Sequence, residues 1–138
     1  LNRSDFQELA EVHLLHAQAL LDAQLYSGAY YMCGYVVECA LKACICTKTS
    51  QFDFYPSPEE SRAAWSHDFE RLIKAAGFED EFDAARAADG VLDVNWEIVE
   101  NWSPDSRYEP RGKPEAQLLL DAIGEPDHGV FSCIKQLW

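Results

Sequence analysis

The chain predicts an all-α fold, an up-and-down bundle of about five helices in one domain over residues 1–138. Three observations carry that expectation. Two long apolar stripes at three-and-four spacing occupy residues 6–21 and 31–45 with a short break between them, the mark of a helical hairpin. No segment reads as a clear strand, while capping residues recur at the starts of apolar runs. The 138 residues, 48% of them hydrophobic, suffice for one core that buries roughly 68% of the unfolded surface.

Each element follows from local chemistry. Ser4-Asp5-Phe6-Gln7 offers a capping box for the first helix, along which Phe6, Leu9, His13, Ala17, Leu20 and Leu21 share a face. Ser27 and Gly28 supply the turn and next N-cap, and Tyr31, Gly34, Val37, Leu41, Cys44 and Ile45 line the second helix. A short helix is expected from Pro58, with Ser57 and Glu60 as its capping box. Ser66-His67-Asp68 leads into Phe69, Leu72, Ile73 and Ala76, stopped by Gly77, and residues 82–88 read as another short helical piece. Residues 91–102 fit a helical face and an alternating strand equally, and are expected to be irregular. Pro114 opens a helix that Gly124 and Pro126 end, and a last helix starts near Asp127.

Bulk properties narrow the function. Eleven Lys and Arg against 24 Asp and Glu leave a net charge of −13, which repels polynucleotides at long range and disfavours them as partners. A local cluster of Arg107, Arg111 and Lys113 is read as solvated loop charge. Glu38 and Lys42 interrupt the most apolar run, so no membrane span is expected, and without an export leader the expectation is a soluble, cytoplasmic protein. The five cysteines lack any C-x-x-C spacing and read as buried thiols of a reducing compartment.

Few residues carry chemistry on their own. Glu38 and Lys42 stand at i, i+4 in the favoured orientation within an apolar helix, so the acid needs a partner, such as a tyrosine hydroxyl or Arg107, and is read as a polar anchor for the loop around Arg107. His13 and His16 could reach one ion, but no Glu-x-x-His accompanies them, and neither metal nor cofactor is expected. The tyrosines at 26, 30, 31 and 35 with Trp96 and Trp102 could line a stacking cleft, although helical spacing explains them as core and dimer interface. There is no phosphate-binding glycine loop, Walker pattern or Gly-x-Ser-x-Gly, so the common nucleotide hydrolases are unsupported.

The run Ala29-Tyr30-Tyr31-Met32-Cys33-Gly34-Tyr35-Val36-Val37-Glu38-Cys39-Ala40-Leu41-Lys42-Ala43 resembles the second helix of HEPN domains (higher eukaryotes and prokaryotes nucleotide-binding). Phe6 to Leu25 resembles the first HEPN helix, and Ser66-His67-Asp68-Phe69 with Leu72-Ile73 the opening of the third. Trp102-Ser103-Pro104-Asp105-Ser106-Arg107-Tyr108 and His128-Gly129-Val130 are similar to signatures of stand-alone bacterial members. The resemblance implies a helical bundle, frequently homodimeric, in a family with both ribonuclease toxins and members lacking the catalytic motif. It also implies a nucleotide, an RNA end or a nucleotidyltransferase-type protein as partner, as in toxin–antitoxin systems.

The ribonuclease members carry Arg-x4–6-His, and this chain departs from that pattern: neither Arg107 nor Arg111 is followed by a histidine at the required distance. Arg62 and His67 have the spacing but lie ahead of the third helix. The expectation is therefore a binding protein without catalytic activity, its ligand site or polar anchor formed by Glu38, Lys42, Arg107, Tyr108, Tyr31 and Trp102. The alternative is a metal-independent endoribonuclease using an Arg and a His.

Overall fold

The computed structural model describes residues 1–138, the side chain of Ser50 excepted. It is all-α, with seven helices and no strand among the described residues. In order these are α1 (Arg3–Asp22), α2 (Tyr26–Cys46), α3 (Phe69–Ala76), α4 (Glu79–Ala88), α5 (Gly90–Val99), α6 (Lys113–Gly124) and α7 (Val130–Lys135).

α1 and α2 form the expected antiparallel hairpin. Gly28 of α2 meets Leu20 of α1, His13 and Tyr35 rings touch midway, and Phe6 packs on Phe54 at the far end. The N-cap of α1 is Asn2, two residues earlier than expected, with Asp5 completing the box: Asp5 N donates to Asn2 at 3.1 Å and Asn2 N to Asp5 at 2.8 Å. Ser27 is not a cap either. It sits in the first turn of α2, where its hydroxyl accepts from the Arg111 backbone N at 2.9 Å and ties the start of the helix to the loop before α6.

α2 is the axis of the bundle, buried on nearly every side by α1, α3, α6 and α7. By length and composition it could cross a membrane, yet 83% of that stretch is buried inside the bundle, which accounts for its apolar character.

Three further expectations are corrected. Residues 56–65 form successive turns instead of a helix, because Ser61 Oγ takes the Ala64 amide and the Trp65 indole N–H donates to Tyr55 O, closing the chain locally. Residues 90–99 are a helix: Asp89 caps it by accepting from Val91 and Leu92, and Leu92, Trp96 and Val99 form its buried face. The last helix begins at Val130, since Glu125 holds the Asp127 and His128 amides in a tight turn before it. With its short members counted, the bundle has seven α-helices among the described residues.

Candidate ligand-binding site

Tyr31, Tyr35, Glu38 and Lys42 follow one another at i, i+4, i+7 and i+11, so α2 carries all four along one stripe. Gly34 lies beside that stripe, and the Trp102 indole rests directly on its backbone. Phe69 stacks on the other face of Trp102 at 5.6 Å and 8°, while Tyr35 meets it edge-on at 5.2 Å. Trp102 thereby fixes the position of the turn Pro104–Tyr108 that follows it and bears Arg107 and Tyr108.

Glu38 is 4% exposed and Lys42 7%. Lys42 Nζ stands 2.7 Å from Glu38 Oε1, and His67 Nδ1 stands 2.8 Å from Oε2, so both carboxylate oxygens are engaged. This corrects the partner expected for Glu38: the anchor holds the segment before α3, through His67, and not the Arg107 loop. With Nδ1 occupied, the Nε2 edge of His67, whose side chain is 54% exposed, is the side that can exchange a proton or hydrogen-bond with a ligand.

The same contact dissolves the Arg62–His67 pair. Arg62 is exposed in a turn and enters no hydrogen bond or ion pair among the described residues, whereas His67 is turned onto Glu38. Spacing in sequence brought no convergence because residues 61–68 are turns and irregular chain, which leave Arg62 at the surface while His67 is drawn onto Glu38.

Above the buried pair lies a polar rim. The Tyr31 and Tyr35 hydroxyls share a hydrogen bond of 2.9 Å. Burial first, then the Tyr31 bond and the Glu38 charge, raise the Tyr35 phenol above its ordinary pKa, against the pull of Arg107. Arg107 is exposed, lies 4.6 Å over the Tyr108 ring and donates to Pro104 O at 3.3 Å. The hydroxyls of Tyr108 and then Tyr31 raise its pKa, and it has no carboxylate partner among the described residues. All six residues expected at the site thus gather about one face of α2, although Arg107 and Glu38 do not touch.

His13 extends the layer from α1. Burial and the neighbouring His16 lower its pKa while Glu38 opposes them, and the two histidine rings lie 5.8 Å apart. No group of three or more metal-ligating side chains occurs among the described residues, so the His13–His16 spacing gains no third ligand. Tyr30, Trp96 and Trp102 are largely buried and pack in the core, although Trp96 and Trp102 also border the cleft beside α3. Of the basic residues near α6, Arg111 pairs with Glu109 and lies over the Tyr30 ring.

Beside this layer a cleft of about 550 Å³ opens, lined by His67, Phe69, Trp102 and Pro104 and by the carboxylates of Asp68, Glu70 and Glu100. Sequence reasoning missed the Glu38–His67 contact and the place of Tyr35. The 31/35/38/42 spacing was the available signal for Tyr35; nothing local signals that residue 67 lies over residue 38.

Compared with known proteins, the chain matches no family model, no curated protein and no solved structure.

Proposed function

We propose that this is a HEPN-like binding protein that takes a small phosphorylated ligand, a nucleotide or an RNA end, at the Arg107 rim, and that it acts by binding and not by catalysis. The observation that carries the reading is the division of charge at the site. Glu38 is paired from within by Lys42, and its second oxygen is taken by His67 Nδ1, which leaves Arg107, flanked by the Tyr31 and Tyr108 hydroxyls, as the cation available to an anionic group. The carboxylates of Asp68, Glu70 and Glu100 in the adjoining cleft and the net charge of −13 oppose a long polyanion more strongly than a ligand with one or two phosphates.

Titration calorimetry with mononucleotides tests this. Binding is expected for the wild type and loss of at least tenfold in affinity for Arg107→Ala, a charge-assisted contact of roughly 1.5–3 kcal/mol. Equal affinity in the variant would remove Arg107 from the site. No binding of any mononucleotide would shift the reading to a protein partner of the nucleotidyltransferase kind. A homodimer and a place in a toxin–antitoxin pair are part of the same proposal, the first read by light scattering of the purified chain.

A second reading, a metal-independent endoribonuclease, is favoured by one feature: a histidine whose Nδ1 is held by a buried carboxylate presents Nε2 as a proton acceptor. In that case Arg107, not Arg62, would be the companion cation. RNA cleavage in the presence of a chelator, lost in His67→Ala, supports it; intact RNA at high protein concentration removes it.

A further inference from the structure

The turn between α6 and α7 is fastened to the start of α5 by a contact remote from the Glu38 site. His128 Nδ1 stands 2.7 Å from Asp89 Oδ2. The other oxygen of Asp89 caps α5, accepting from Val91 N at 3.0 Å and Leu92 N at 3.1 Å. Asn95, one turn into α5, donates to His128 O at 2.9 Å, so the histidine is held through both its ring and its backbone.

Behind it the turn has no slack. Glu125 accepts from the Asp127 and His128 amides, Ser132 Oγ donates to Glu125 O, and a Cβ on Gly129 would stand 2.3 Å from Glu125 O. α7 follows directly, and its Val130, Phe131 and Ile134 are buried in the core.

We propose that the Asp89–His128 pair is a pH-sensitive latch that holds the α6–α7 turn, and with it the C-terminal helix, on the N-terminus of α5, tight in mild acid and loosened as pH rises past neutral. Charged groups face the imidazole from each side. Asp89 comes from the α4–α5 junction, where Asp93 is engaged by Arg86; Glu125 and Asp127 come from the turn itself; Cys133 of α7 lies within the field of Asp89. All the acids favour the imidazolium, and accordingly the hydrogen bond to Asp89, followed by the charges of Asp89, Glu125 and Asp127, raises the pKa of His128, while the same bond lowers that of Asp89.

The sign follows. A histidine raised above its ordinary 6.5 contributes stability that is complete below that value and lost as pH climbs through the raised one. Deprotonation removes the ion pair but leaves an N–H that can still reach Asp89, so the latch loosens and does not vanish.

Amide hydrogen exchange, corrected for intrinsic rates, at about pH 6 and about pH 9 reads the latch directly. In the wild type, protection of Val91 and Leu92 and of residues 130–134 is expected to fall several-fold at the higher pH. His128→Gln should show lower protection at about pH 6 and no pH dependence. Asp89→Asn retains an N-capping side chain while discarding the charge, so it should give the same flat profile with a normal fold by circular dichroism. Wild-type protection that is equal at the two pH values, or a pH dependence that survives in Asp89→Asn, would overturn the proposal.

Discussion

The Trp102 indole occupies the space that a side chain at residue 34 would need: a Cβ built on Gly34 lies 1.9 Å from Trp102 Cε2. The indole cannot step aside, because Phe69 stacks on it and Tyr35 closes its edge. Gly34→Ala must therefore shift Trp102 and, with it, the turn that carries Arg107. Overpacking of this kind costs about 1–3 kcal/mol and more when rigid groups collide, so a loss of about 3 kcal/mol is expected in urea unfolding. Gly28, in the same helix, provides the contrast. A Cβ there meets Leu20 at 3.6 Å, ordinary contact, and Gly28→Ala should gain up to about 1 kcal/mol from helix propensity. Equal effects at the two glycines would show that Trp102 moves freely.

Glu38 and Lys42 predict a different pattern, one of non-additivity. Either Glu38→Ala or Lys42→Ala leaves a buried charge without its mate, a loss of about 3–5 kcal/mol. Joint replacement by Leu and Met removes both desolvation costs and should lose far less than the sum. His67→Ala, half-exposed and with Lys42 still in place, should cost at most about 1 kcal/mol. A double variant as unstable as the two single losses added together would mean that the pair contributes through packing and not through charge.

These contrasts also mark what was legible in the sequence. The α1–α2 hairpin could be read because its stripes are long and its contacts local, and Gly77 announced the end of α3 because its φ of 75° is one that glycine adopts without strain. Residues 90–99 resisted reading because Val91 and Val94 are exposed, at 52% and 56%, which blurs the apolar period that Leu92, Trp96 and Val99 define. The caps at Ser4 and Ser57 failed for local reasons: Asn2 competes with Ser4 for the start of α1 and takes it with Asp5, and Ser61 closes the segment after Ser57 into turns. At the candidate site, proximity of Glu38, Lys42, Tyr31 and Tyr35 follows from helix geometry, but the 29-residue gap to His67 is closed only by the packing of α3 on α2.

A contribution from His13 is expected on the acid side of the stability profile. Its ring is partly buried, its Nδ1 lacks a partner among the described residues, and burial together with His16 lowers its pKa below 6.5. In the window beneath that value the unfolded chain binds the proton and the folded one does not, so stability falls as pH drops through it. His13→Gln should flatten this decline on the acid side of about pH 6.5. The sign is opposite to that of His128, whose contribution is lost on the alkaline side, and unfolding free energies measured across pH separate the two. An unchanged acid slope in His13→Gln would assign it to carboxylates instead.

Thiol reactivity tests the burial of α2 most directly. Burial pushes Cys33, Cys39 and Cys44 up to about 12 and Cys46 up to about 11, while Cys133 is raised for the same reason but remains half-exposed on α7. At a pKa of about 12, roughly one thiol in ten thousand is ionised at about pH 8, and the thiolate is the form that attacks a disulfide reagent. One thiol, Cys133, should therefore react with an aromatic disulfide in the native protein and all five after denaturation. Because the four buried thiols line the axis of the bundle, their reaction requires α2 to be uncovered, and its rate should track global unfolding in urea. Reaction of Cys44 in step with Cys133 would instead show that α7, whose Ile134 carbonyl accepts from the Cys44 thiol at 3.9 Å, lifts off as a unit while the hairpin stays closed.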